Sequence, residues 1–191
     1  MKYNNSCRCN WAESNPLLQE YHDKEWGVPV HNDQLHFEFM VLDAFQAGLS
    51  WLTILKKREN FRKAFDNFDF YKIAKYNDAK IQQLLANEGI IRNKLKIEAT
   101  INNAIRIQEI IHEFGSFDTY IWQFVNSKTL RNNWVNFKEI PAKTIQSDGM
   151  SKELLKRGFK FVGSTICYSY MQAAGMINDH ETSCFRYNLN D

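Results

Sequence analysis

The sequence predicts an all-α fold built from many short to medium helices. Between Arg92 and Phe114, apolar residues recur close to the helical period of 3.6 residues. Elsewhere, Asn, Asp, Ser or Pro stands where such segments begin, and glycines follow several of their ends. Strict apolar–polar alternation, the pattern of a half-buried strand, is scarce, so we predict no convincing sheet.

The helical segments follow one another with short connections, and the longest break is polar. Asp33 and Asn77 are expected as N-caps, and Pro16 suits a first turn. Residues 126–148 lose the periodic pattern, so a polar connection is expected there and the next helix should open at Ser151. The predicted helices cover about residues 16–26, 33–47, 51–65, 77–85, 92–114, 117–125, 151–158 and 163–174.

Composition allows an ordinary globular protein and excludes several classes. The chain has 191 residues, 44% of them hydrophobic and 24% charged, enough for a proper core. We expect one domain, residues 1–191, with a central helical part of about 31–150 and a terminal part of about 1–30 and 151–191. The net charge of +2 is too small to prove a polyanion partner, so any nucleic-acid affinity must come from local clusters of cations.

The N-terminus and the cysteines indicate a cytoplasmic protein. Met1–Cys9 contains no apolar signal-peptide core, and the chain has no apolar run of about 18 residues, so no membrane span is expected. Four cysteines in a cytosolic protein of this size favour metal binding or free thiols over disulfides.

The stretch Leu42–Trp51 is the most informative segment. An apolar helix delivers one carboxylate, Asp43, before Gly48 stops it, and Trp51 opens the next segment, which ends in the basic run 56–58. An acid, a turn and a Trp followed by cations suggest a binding pocket beside a phosphate-facing rim. The alternative is that Asp43 is a cap or structural acceptor and that Trp51 belongs to the core.

Cysteine and histidine occur at both ends of the chain. Cys9 and His22 lie near the N-terminus, and His180 and Cys184, four residues apart, lie near the C-terminus. Two Cys and two His suit a closed tetrahedral zinc site, which would fasten the termini together. Cys7 competes with Cys9 as a ligand, and the alternative is that these residues are unrelated.

A second candidate site is the segment 154–165. An amphipathic helix stops at Gly158, a four-residue turn follows, and Gly163 starts a new helix. Backbone N–H groups at the start of a helix bind anions, so such a hairpin can hold a DNA phosphate, with charge added by Lys156, Arg157 and Lys160. The alternative is an ordinary helical hairpin with a solvated basic tip.

Together these features resemble the DNA-3-methyladenine glycosylase I family of the helix-hairpin-helix superfamily. The resemblance runs from Cys9 to about Cys184 and includes five blocks in the family's order. The blocks are Cys9-x-Trp11, Tyr21-His22-Asp23-x-Glu25-Trp26-Gly27-Val28-Pro29, Gln46-Ala47-Gly48-Leu49-Ser50-Trp51, Gly89-Ile90-Ile91-Arg92 and Arg157-Gly158-Phe159-Lys160-Phe161-Val162-Gly163.

The resemblance implies a monomeric enzyme that flips 3-methyladenine out of duplex DNA, hydrolyses its N-glycosidic bond and leaves an abasic site. It implies a helix-hairpin-helix glycosylase fold with a structural zinc held by Cys9, His22, His180 and Cys184. The base pocket falls on Tyr21, Trp51 and the candidate catalytic residue Asp43, with Trp11 and Trp26 nearby. The DNA contacts fall on Gln46, Gly48 and Leu49, in a turn that enters the space left by the flipped nucleotide, and on Gly158, Lys160 and Gly163.

The chain departs from the family at the pocket acid. The family normally has Glu where this chain has Asp43, whose carboxylate sits one methylene closer to the backbone, which affects its reach to a base but not its charge. Two alternatives stay open on this ground: a zinc-stabilised DNA-binding module without catalysis, and a related glycosylase with a shifted substrate range. A pure DNA binder has no need of Tyr21, Trp51 and an acid in one cavity.

Overall fold

A computed structural model describes residues 7–188, and over that range the chain is mostly helical, as predicted. Residues 1–6, which belong to the N-terminal stretch without a predicted signal peptide, and residues 189–191 lie outside the described residues. The described α-helices are α1 (Pro16–Lys24), α2 (Asp33–Gln46), α3 (Trp51–Ala64), α4 (Phe70–Ile73), α5 (Asp78–Ala86), α6 (Lys94–Phe114), α7 (Phe117–Trp122), α8 (Ile145–Lys156) and α9 (Ser164–Ala173), with 3-10 turns at Asn10–Ala12, Asp66–Phe68, Gln123–Val125 and Phe137–Glu139.

Most of these helices begin at a side-chain cap that satisfies an otherwise unpaired backbone N–H. Asn77 caps α5 as expected. For α2 the expected cap was wrong by one residue. The cap is Asn32, whose Oδ1 accepts from the backbone N–H of Leu35 at 2.9 Å, and Asp33 is the first helical residue, where its charge favours the helix dipole.

Helix α8 begins six residues earlier than the expected start at Ser151. Thr144 and Ser147 form a capping box, in which each side chain bonds the other residue's backbone. The apolar pattern does not show this start, because Ile145, the first helical residue, is 87% exposed. The irregular connection therefore covers residues 126–144. It is shorter than the expected 126–148, because residues 145–148 already belong to α8.

A two-residue parallel pairing joins that connection to the C-terminal segment, although no sheet was expected. Strand β1 (Leu130–Arg131) pairs with β2 (Ile177–Asn178) in the register Leu130↔Ile177. Gly175, just before β2, has φ +67°, and a Cβ there would overlap the backbone of Val28. This close approach therefore requires glycine, and it brings the two terminal segments together.

Helix α2 lies at the centre of the core. Every residue from His36 to Phe45 is buried, including the polar or charged His36, Glu38 and Asp43. It packs against α3, α6, α7 and α9, and α8 packs against α9 to form the hairpin pair. Because α2 is enclosed on all sides, Asp43 near its C-terminal end is carried into the interior.

The longest described helix, α6, is amphipathic along 21 residues. Ile97, Ala104 and Ile107 are buried, but Leu95 and Ile105, which follow the same apolar pattern, are 67% and 38% exposed. Among residues 7–188, no helix is both long and apolar enough to cross a membrane.

Candidate active site and metal centre

A cavity of about 200 Å³ opens between the N-terminal segment, α2, α3 and α9. All five predicted pocket residues reach it, although they come from four separate elements of the chain. The cavity is lined by Trp11, Tyr21, Trp26, Asp43, Gln46, Trp51, Phe137, Ser169 and Gln172.

Asp43 is the buried acid of this cavity. It is 4% exposed, and its Oδ2 is buried with no hydrogen-bond partner among the described residues. Burial raises the pKa of the Asp43 carboxyl well above its usual range. Buried polar atoms are nearly always paired within a folded protein, so an unpaired carboxylate oxygen in a cavity is suited to a ligand that donates hydrogen bonds. The alternative assignment of Asp43 as a helix cap is excluded by its position inside α2.

Aromatic rings form the walls around Asp43. The Tyr21 and Trp51 ring centroids are 5.1 Å apart, as are those of Trp11 and Trp26. The indole Nε1 atoms of Trp11 and Trp51 are buried and have no hydrogen-bond partner within residues 7–188. Burial, together with the nearby charge of Asp43, raises the pKa of Tyr21, so its phenol stays neutral. The cavity thus combines π-faces, unused N–H donors and one acid.

Three lining residues were missed by the sequence reasoning. Ser169 and Gln172 are three residues apart on α9 and share one face, a spacing that could have shown them once α9 was placed. Phe137 lies in the irregular connection, where no local pattern marks it. It reaches the cavity because its backbone N–H donates to Glu181 Oε1 at 3.1 Å.

The turn between α2 and α3 rises beside the cavity. Helix α2 ends at Gln46, which lines the cavity, one residue before the expected end at Ala47. Gly48 follows the helix as expected and adopts φ +85° within the turn, a conformation that favours glycine. Leu49 is 41% exposed at the tip. The three predicted turn contacts therefore stand on one exposed projection.

Cys9, His22 and Cys184 form a buried cluster behind the cavity. One ligand atom from each lies within 4.8 Å of the others, and Cys184 Sγ is 3.3 Å from His22 Nε2. The fourth predicted ligand, His180, is not one of the three residues whose ligand atoms lie within 4.8 Å of one another. Its ring centroid is 4.9 Å from that of His22, and its buried Nε2 has no partner among the described residues. Cys7, the alternative to Cys9, is exposed.

The cluster fits a zinc ion in donor type and in orientation. His22 Nδ1 is 2.8 Å from Asp23 Oδ1, and His180 Nδ1 is 3.0 Å from Asn178 Oδ1, which orients both rings through the nitrogen away from the cluster, as in many metal sites. His22 Nε2 accepts a hydrogen bond from the Cys9 backbone N–H at 3.3 Å. Burial and the neighbouring His22 lower the pKa of His180 to about 3, which keeps that imidazole neutral. The hydrogen bond between the two sulfurs lowers the pKa of Cys184 and raises that of Cys9, so the pair favours a Cys184 thiolate beside a Cys9 thiol.

The cluster and the cavity share a wall. The Trp26 ring centroid lies 4.6 Å from that of His180 and 5.1 Å from that of Trp11. Trp26 therefore contacts the cluster on one side and lines the cavity with Trp11 on the other. Any rearrangement of the cluster would move one wall of the pocket.

The hairpin between α8 and α9 presents backbone groups at its tip. Gly158 adopts φ +84°, and Gly163 caps α9 without a side chain, so no side chain caps the first N–H groups of α9. Asn103 pairs with both backbone groups of Lys160, donating to its carbonyl at 2.9 Å and accepting from its N–H at 2.8 Å. Lys160 and Gly163 are exposed, as a phosphate contact requires.

Comparisons with known proteins agree with this geometry. A protein-family model described as methyladenine glycosylase matches residues 11–187. DNA-3-methyladenine glycosylase 1 of Escherichia coli (strain K12) is 46% identical over 180 residues, which are 94% of this chain and 96% of that protein. DNA-3-methyladenine glycosylase of Haemophilus influenzae is 43% identical over 177 residues, which are 93% of this chain and 96% of that protein.

Solved structures of 3-methyladenine DNA glycosylase I share the fold of this chain. A crystal structure of 3-methyladenine DNA glycosylase I superposes with a TM-score of 0.91 at 46% identity and covers 94% of this chain and 98% of that one. A structure from Staphylococcus aureus, described as showing the structural basis of 3-methyladenine recognition, gives a TM-score of 0.92 at 31% identity and covers 96% of this chain and 98% of that one. The chain belongs to the methyladenine glycosylase family of enzymes.

Proposed function

We propose that this enzyme hydrolyses the N-glycosidic bond of 3-methyladenine in alkylated duplex DNA, with the base flipped into the cavity around Asp43. The observation that carries the proposal is the unpaired Oδ2 of Asp43 inside an aromatic cavity. A base within the duplex stack cannot enter such a cavity, so the nucleotide must leave the stack, at a cost of a few kcal/mol.

Recognition rests on charge. Alkylation at N3 makes adenine cationic, and the faces of Tyr21 and Trp51 attract a cation by roughly 0.5–2 kcal/mol. The Asp43 carboxylate supplies the opposite charge and accepts hydrogen bonds from the base. Unmodified adenine lacks the charge, so it gains neither interaction and is discriminated against in the cavity.

The chemical step needs little acid catalysis, because the leaving base already carries a positive charge. Water adds to C1′ of the deoxyribose and loses a proton, while the C1′–N9 bond breaks and its electron pair stays on N9. The products are neutral 3-methyladenine and an abasic site. Asp43 binds and orients the cationic base for this step through charge and hydrogen bonding, and activation of the water by Asp43 is secondary.

DNA is held at two places in this proposal. Gln46, Gly48 and Leu49 enter the space that the flipped nucleotide leaves. Gly158, Lys160 and Gly163 hold a phosphate of the backbone, which makes binding tolerant of sequence. Gln46 and Gly158 are half-buried and the other four residues are exposed, so each segment presents atoms to solvent, which supports these roles.

Zinc has a structural role in the proposal. Cys9, His22, His180 and Cys184 would hold the ion and so cross-link the N- and C-terminal segments behind the Trp26 wall. The orphaned, buried Nε2 of His180 supports this assignment. The single-domain organisation over 1–191, the monomeric state and the cytoplasmic location stay predictions.

Release of free bases from methylated duplex DNA tests the proposal. The protein should liberate 3-methyladenine, identified by chromatography of the supernatant, and leave sites that alkali cleaves. A zinc-stabilised module without catalysis would bind the same DNA and release nothing. Release of other alkylated bases without 3-methyladenine would indicate a glycosylase of shifted substrate range, in which the shorter side chain of Asp43 selects a different base.

A further inference from the structure

Lys96, in the first turn of α6, is a buried cation that binds backbone carbonyls and lies over an aromatic ring, with its Nζ 6.0 Å from the centroid of Phe45. Its ammonium donates to the oxygen of Phe45 at 2.9 Å and to the oxygen of Ala47 at 2.8 Å. The residue is 7% exposed, and burial lowers the pKa of its ammonium. Lysine is almost never this buried unless it is paired, so the placement of this side chain requires an explanation.

Both carbonyls belong to the C-terminal end of α2. The last carbonyls of a helix have no partner within the helix and carry the negative end of its dipole, so a cation there is favourable. Lys96 comes from another helix, and its own backbone N–H is fixed by Asn93 Oδ1 at 3.1 Å. The ammonium therefore ties the end of α2 to the start of α6.

The segment that Lys96 holds is the projecting turn. Ala47, Gly48, Leu49 and Ser50 are all exposed, so the turn has little packing of its own. Inside the turn, the Leu49 N–H donates to the Gln46 carbonyl at 2.6 Å. The direction in which the tip points is consequently set at its base, where Lys96 binds.

We propose that Lys96 is a positioning residue that holds the Gln46–Leu49 turn in the orientation from which it enters the duplex. The inference rests on the proposed function, in which this turn fills the space left by the flipped nucleotide. It assigns Lys96 to extrusion of the base and not to recognition of the base, because the ammonium contacts the turn and not the cavity.

The test compares Lys96→Met, which keeps the length of the side chain but removes the ammonium, with Lys94→Met. Lys94 is the matched control, since it lies in the same helical turn but is exposed and pairs with Glu98 at 3.7 Å. Three quantities are measured: single-turnover excision from duplex DNA, affinity for free 3-methyladenine from tryptophan fluorescence, and unstacking reported by 2-aminopurine beside the lesion.

Lys96→Met should slow excision from duplex about 10–100-fold and reduce the 2-aminopurine signal, because small misplacements cause losses of this size. Affinity for the free base should fall far less than excision, by at most about fivefold, since of the displaced turn Gln46 alone lines the cavity. Lys94→Met should change none of the three by more than about twofold. Equal losses of excision and free-base affinity, or full duplex excision by Lys96→Met, would overturn the inference.

Leu49→Ala separates this inference from the proposed function. If Lys96 acts through the turn, the loss in the double variant should be smaller than the product of the two single losses. Independent, multiplicative losses would show that Lys96 does not act through the turn. Full duplex excision by Leu49→Ala would instead remove the turn from DNA contact, and with it the proposed function of that turn.

Lys96→Arg covers the case in which Lys96→Met does not fold. Arginine keeps the charge and the donors but is bulkier, so it should displace the turn and lower duplex excision by about fivefold or more. Its affinity for free 3-methyladenine should be unchanged. A folded Lys96→Arg protein with wild-type excision and a wild-type 2-aminopurine signal would overturn the inference.

Discussion

Asp43→Asn should separate stability from activity in one substitution. The buried Oδ2 has no hydrogen-bond partner in the part of the chain that the structure describes, so an amide of nearly the same shape removes no hydrogen bond at that atom. The pKa of Asp43 is raised in the folded protein. The contribution of Asp43 to the free energy of unfolding is therefore complete below the unfolded pKa of about 3.9 and is lost as pH rises through the raised folded pKa. An asparagine at this position does not ionise, so the variant avoids this loss of stability. Its Tm at neutral pH should equal or exceed that of the wild type.

The effect on activity follows from the charge. A hydrogen bond to a charged group is about 1–2 kcal/mol stronger than a neutral one. The attraction between a carboxylate and a cation about 4 Å away adds up to about 4 kcal/mol at an effective dielectric constant of about 20. The two contributions together are about 1–6 kcal/mol, and about 1.4 kcal/mol corresponds to tenfold, so Asp43→Asn should lower excision of 3-methyladenine between about fivefold and 20,000-fold.

Excision and melting curves measured on the same samples across pH test both parts. Asp43→Glu, which restores the family's usual acid, should keep or raise excision. Asp179→Asn is the contrasting control. Asp179 is also buried, but it accepts hydrogen bonds from Trp134 Nε1 at 2.7 Å and from Gln172 Nε2 at 2.7 Å. Because these bonds would be weakened, the Asp179→Asn protein should lose stability. Unchanged excision together with a lower Tm for Asp43→Asn would refute the assignment of Asp43 to the site.

Two further predictions concern the metal and the hairpin. Protein purified without chelators should contain one zinc per chain by metal analysis. Cys184→Ala should lower the Tm markedly, because structural zinc contributes roughly 10–16 kcal/mol of binding. A zinc-free protein of full stability would contradict both expectations. Gly163→Leu should fold, since a Cβ there meets nothing within 4 Å, yet it should weaken DNA binding while free 3-methyladenine binds normally. Equal loss of both would show a wrong assignment of the hairpin.

The sequence by itself determined the features that depend on near neighbours along the chain. Caps such as Asn77 and the glycine turn at Gly158 act within about four residues, so their signals are local. The helical class, most helix bounds and the chemical types of the candidate ligands and pocket acid were readable for this reason. Where the local signal was ambiguous, as at Asn32 and Asp33, the prediction missed by one residue.

Only the tertiary structure decided which of these groups meet. His22 and Cys184 are 162 positions apart, and no periodic pattern carries information over that distance. The same holds for Phe137 at the cavity, for the pairing of β1 with β2, and for Lys96, which looks like any surface lysine of an amphipathic helix until the end of α2 packs over it. Burial and unpaired atoms depend on the whole packed chain, so they became visible only in the folded structure.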